Sequence, residues 1–117
     1  ARFVRGPLET EISSAEIIAG IKVPRYSKAA RFGYQKICRK EGEFADAIAA
    51  VAHDPERNLF RMAVSTTVGA PLVLEATAPF KTGELADRLA SAGGPQDPFE
   101  RRLRLAAMQR ALAEAAP

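Results

Sequence analysis

The sequence predicts an α+β domain in which three or four antiparallel strands occupy the middle of the chain and two C-terminal helices pack on one face. Three observations lead there. Residues 29–39 alternate in the two-residue rhythm of a strand. Two apolar runs, EFADAIAAVAH and LFRMAVSTTV, are separated by the polar cluster His53-Asp54-Pro55-Glu56-Arg57-Asn58, the pattern of a hairpin. Finally, Asp97-Pro98 opens a long stretch whose apolar residues recur at helical spacing.

At 117 residues the chain suits one domain with a real core. Residues 1–12 read as a linker or incoming strand, with Gly6-Pro7 as a turn. Ser13 and Glu16 stand at capping-box spacing, so a short helix is expected over 14–17. Gly20 and the β-branched Ile21 and Val23 then predict a strand over 18–23, stopped by Pro24. In the strand over 29–39, Phe32, Tyr34, Lys36 and Cys38 share one face, and Arg31, Gly33, Gln35, Ile37 and Arg39 the other. Alanine favours helix in residues 43–53, but the hairpin pattern outweighs propensity there and both runs are assigned as strands. After Gly69-Ala70-Pro71 comes a brief apolar segment, Leu72–Leu74. Thr82 is placed to cap a helix running to about Ser91, closed by Gly93-Gly94. In the last helix Asp97 caps, Pro98 takes the first position, Glu100 completes a capping box, and Phe99, Leu103, Leu105, Met108 and Leu112 form the apolar stripe.

Composition limits the chemistry. With one cysteine, Cys38, and one histidine, His53, a zinc site would need carboxylates for most of its ligands, and no spacing suggests one. His53 falls in the expected hairpin loop, where a turn role outweighs general-base chemistry. Lys36, Arg39 and Lys40 surround Cys38 and would favour its thiolate, but strand packing is the simpler role. Ser65-Thr66-Thr67 could line a polar cleft, although strand propensity explains them as well. Neither GxGxxG nor GxxxxGK[ST] occurs. The net charge is +3, yet Lys22, Arg25, Lys28, Arg31, Lys36, Arg39 and Lys40 form a basic run with no acidic residue among them. Such a run meets phosphates, an acidic partner or only solvent. No apolar run approaches the ~20 residues of a membrane span. The lone cysteine and the lack of a secretory signal point to the cytoplasm, and the opening without methionine to a piece of a longer chain.

Three stretches in order carry a family resemblance. LETEISSAEIIAGIKVP is similar to the opening strand of the C-terminal domain in flavin-carrying subunits of molybdenum hydroxylases, the xanthine dehydrogenase and carbon monoxide dehydrogenase family. GYQKICRKEGEFADAIAAVA resembles that family's aromatic-x-Lys segment, with its basic pair, Gly-acidic-aromatic turn and apolar strand. QDPFERRLRLAAMQRAL looks like its arginine- and alanine-rich last helix. The resemblance implies that residues 1–12 are a linker or the end of a preceding FAD-binding domain and that 13–117 form the C-terminal domain. It further implies FAD, held mainly by that preceding domain, and an iron–sulfur subunit and a molybdopterin-binding subunit as partners. No membrane or nucleic acid is expected. The domain would cover the flavin, with Ile18, Tyr34 and either Gln35 or Lys36 approaching it. The alternative from the residues themselves is a free-standing basic module that binds nucleic acid or another anion.

Overall fold

The computed structural model describes residues 3–65 and 69–116. A small ribbon of β1 (Val4–Gly6) and β2 (Glu9–Thr10) comes first. The main sheet follows, built from β3 (Arg31–Ile37), β4 (Ala47–Asp54), β5 (Leu59–Ser65) and β6 (Leu72–Ala76). All neighbours are antiparallel, in the order β3-β4-β5-β6. Helices α1 (Leu85–Ser91) and α2 (Pro98–Glu114) close the chain. The α+β architecture is as the sequence predicts, with the Leu72–Leu74 segment extended into a full fourth strand.

Alternation sorts the sheet into two faces. Ala47, Ala49, Val51, Phe60, Met62, Val64 and Leu74 are buried on the helix side. They form the core with Leu85 and Leu89 of α1 and with Ala107, Met108 and Ala111 of α2. Phe80, in the loop before α1, plugs the core edge-on to Phe60 at 4.9 Å, beneath the Arg88 guanidinium at 4.8 Å. The sequence reading missed Phe80, which sits in no periodic segment.

Gly33 sets how closely α2 approaches. A Cβ there would lie 2.0 Å from the Ala111 carbonyl oxygen and 3.1 Å from the Ala115 nitrogen. On both sides of this contact the side chains are small: Ala107, Ala111 and Ala115 on and just beyond α2, Ala47 and Ala49 on β4. The expected stripe of α2 is therefore rotated. Phe99 is exposed and Leu103, Leu105 and Leu112 only flank the core; of the expected stripe Met108 alone is buried, together with Ala107, Ala111 and Arg104. The cap is as expected, with Asp97 Oδ1 accepting the amides of Phe99 (2.9 Å) and Glu100 (2.8 Å) and Pro98 at the first position.

The N-terminal expectations need correction. Residues 14–17 form one turn and no helix: Glu16 N–H donates to the Ser13 carbonyl at 3.1 Å, and the Glu16 carboxylate accepts Ser13 N–H at 2.8 Å. The capping contact forms, but Ile17, Ile18 and Gly20 oppose further helix. Residues 18–23 form no strand either. They extend with every residue from Pro7 to Arg25 exposed, because among the described residues no strand pairs with them. Thr82 begins a short 3-10 turn, Thr82–Glu84, and the cap positions fall instead on Lys81 for that turn and on Glu84 for α1. Gly93 at φ 82° and the Gly94 amide bonded to Leu89 O at 2.9 Å end α1 as predicted. His53 belongs to β4, edge-on to Phe60, and not to the loop. Thr66 and Thr67 lie outside the described residues.

Asp54 ties the exposed arm to the sheet. It is fully buried, and its carboxylate accepts the Ser27 amide at 2.7 Å and the Ser27 hydroxyl at 2.6 Å. Burial alone would push its pKa up, but the two Ser27 bonds, the Arg57 amide and the Arg57 charge outweigh it and hold the carboxyl below its usual range. Arg57 also donates to the Arg25 carbonyl.

Two outcomes follow from this packing. Gly33→Ala is expected to destabilise the fold by about 2 kcal/mol or more, since backbone must yield to backbone; chemical denaturation measures it. A depressed carboxyl stabilises above its unfolded pKa and loses that contribution as pH falls through its folded pKa. Asp54→Asn should therefore be less stable than the parent at neutral pH, with the gap narrowing in acid. A gap independent of pH in denaturation between pH 7 and pH 3 would contradict the role given to the charge.

Candidate functional site

Among the described residues no helix packs on the face of the sheet away from α1 and α2, and the rows of that face follow from the register. Phe32, Ala52, Arg61 and Glu75 form one row across the four strands, and Tyr34, Ala50, Ala63 and Val73 form the next. Lys36, Ile48 and Ser65 form a third. The centre is thus a floor of three alanines, which keeps it flat and lets a ligand or partner come close to the backbone. Phe32 and Tyr34 rise along one side, 56% and 55% exposed, with the Tyr26 ring edge-on to Phe32 at 5.0 Å. On the other side the Arg61 Nε donates to Glu75 at 2.8 Å, so its charge is already answered.

Tyr34 and Lys36 line a cleft of about 310 Å³ with Gly42, Glu43, Phe44, Ala45 and Ile48. The Lys36 Nζ donates to the Glu43 carbonyl at 2.6 Å, which draws the loop after β3 over this end of the floor. Phe44, Ala45 and Ile48 also belong to a neighbouring apolar groove of about 370 Å³, completed by Val4, Pro7, Leu8 and Pro71. Leu8 is almost wholly exposed and adopts φ 59°, a left-handed conformation that costs a leucine roughly 1–2 kcal/mol.

The four residues named from sequence are not all brought together. Tyr34 and Lys36 share the open face and one cleft. Gln35 lies on the helix side, where its Nε2 meets the Glu114 carboxylate at 3.3 Å. Of the pair Gln35 and Lys36, only Lys36 therefore reaches the open face. Ile18 stands on the arm, 58% exposed, in a separate groove lined by Phe3, Ile12, Ile17 and Ile21. Sequence reading missed Phe44, Ala50 and Ala63: alanines carry no chemical signal, and only the pairing shows that they share a floor.

The basic run does not form a single patch. Lys22 and Arg25 lie on the arm, Arg31 and Lys36 on opposite faces of β3, and Arg39 beside Glu43 at 3.8 Å. Cys38 is half-buried just beyond β3. Among the described residues no three His, Cys, Asp or Glu side chains gather as metal ligands, and no helix is long and apolar enough to cross a membrane. No protein family, no curated protein and no solved structure matches this chain.

Proposed function

We propose that this chain is the C-terminal domain of the FAD-carrying subunit of a molybdenum hydroxylase. In this reading it covers the flavin and docks partner subunits while electrons pass from iron–sulfur clusters to an acceptor. The observation that carries the reading is the open sheet face, a flat alanine floor bounded by Tyr34 and Phe32 with Lys36 at its end. A planar, apolar ring fits such a floor, and an ammonium beside it suits a ring that gains negative charge on reduction. FAD, when bound, would relay the electrons; this chain would exclude water from the ring and place the Lys36 charge near it. The pyrophosphate of FAD would be held elsewhere, since no glycine-rich phosphate loop occurs in the sequence.

The arm supports the same reading. Ile17, Ile18, Ile21 and Val23 are exposed, and burying each against another domain is worth ~1.5–3 kcal/mol. An arm of this kind suits a contact with a preceding domain.

One observation favours a second reading. Phe32 and Tyr34 are exposed two residues apart on one strand, a spacing that would let them stack successive bases of single-stranded nucleic acid near Lys36. Scattering of the other cations and the Arg61–Glu75 pair weaken it.

Purifying the assembly that carries this chain from its own host decides the matter. Stoichiometric molybdenum, iron and FAD are expected; colourless, metal-free material would overturn the hydroxylase reading. The isolated chain is expected to bind FAD no tighter than micromolar in calorimetry, and submicromolar binding would contradict the division of labour described above. In the assembled subunit, Lys36→Met should lower the flavin midpoint potential in a redox titration, because the cation stabilises the reduced anion. An unchanged potential would leave Lys36 as a surface residue tied to Glu43.

A further inference from the structure

β3 forms one edge of the main sheet. The Ile37 carbonyl points toward the β4 side, where it accepts the Asp46 amide at 2.8 Å. By alternation the backbone groups of Phe32, Tyr34 and Lys36 face outward. The central one of these is occupied: Tyr34 N–H donates to the Glu114 carboxylate at 2.8 Å, and Gln35 Nε2 adds a second bond at 3.3 Å. Glu114 is the last residue of α2, and the close packing of Ala111 on Gly33 brings it to this edge. Its carboxylate satisfies the middle donor of the strand and sets negative charge where the carbonyl of another strand would approach, a recognised way of closing an edge.

We propose that β3 is a latent self-pairing edge that fits a second copy of this chain, and that Glu114 holds it shut. The strand is complementary to itself. Antiparallel pairing centred on Tyr34 sets Tyr34 against Tyr34 on a two-fold axis. It places Phe32 of each copy opposite Lys36 of the other, an aromatic ring beside a cation, twice. Arg31 falls opposite Ile37 and Gln35 opposite Gly33, so no like charges face each other. The helices also accommodate it. α2 lies under β3 and β4, so strands continuing at the usual spacing would bring the two α2 helices to about 10 Å, an ordinary packing distance. This inference is independent of the flavin reading.

Sedimentation equilibrium of the full chain tests it. The parent is expected to stay at one chain mass, and Glu114→Ala, an exposed position at a helix end, to rise with concentration toward two. The register is checked on the Glu114→Ala background at Phe32, an exposed site. Phe32→Glu, now opposite Lys36, should tighten the dimer several-fold, and Phe32→Lys should loosen it several-fold. Glu114→Ala remaining at one chain mass would overturn the proposal. So would a parent that self-associates as strongly as the variant, or a dimer indifferent to the charge placed at residue 32. Circular dichroism of each variant confirms that a change in mass is read on folded protein.

Discussion

The seating of α2 on β3 at Gly33 is the contact on which the rest of the structure depends. Backbone meets backbone there, because a side chain at residue 33 would strike the Ala111 carbonyl. That approach needs small residues around it, and Ala47, Ala49, Ala107 and Ala115 supply them. With the helix so near, the larger residues Phe60, Met62, Leu85, Leu89 and Met108 fill the space beside the contact. The same approach puts Glu114 at the Tyr34 amide, so packing inside the domain governs what the sheet edge presents outside it.

The arm is held by polar contacts at its root. Ser27 meets the buried Asp54, and Arg57 meets the Arg25 carbonyl. Beyond that root the arm's apolar residues are exposed. The β-branched residues from Ile17 to Val23 have the propensity of a strand and lack a neighbour to pair with. In the proposed subunit they would meet a preceding domain, which accounts for strand-like residues left outside the sheet.

The open face combines a floor too flat to enclose a ligand with walls that are aromatic on one side. Tyr34 and Lys36 stand side by side there, while Gln35, between them in sequence, belongs to the helix side. A domain of this shape is suited to covering a flat group held by another domain. Its contribution would be exclusion of water and placement of one charge.

The sequence by itself determined the fold class, the hairpin of β4 and β5, and the start of the last helix. These rest on local physics: alternation, turn residues and the bonds of a capping aspartate to the next amides. It also placed Tyr34 and Lys36 on one strand face. Tertiary structure alone decided which face of α2 is buried: of the large residues on the expected stripe only Met108 enters the core, beside Ala107 and Ala111, once Gly33 allows close approach. It decided that 14–23 remain an exposed arm, because a strand requires a partner that local sequence cannot supply. It decided too that Ile18 lies apart from Lys36 and that Phe80 enters the core. Each of these depends on contacts between residues far apart in the chain, and periodicity carries no record of such contacts.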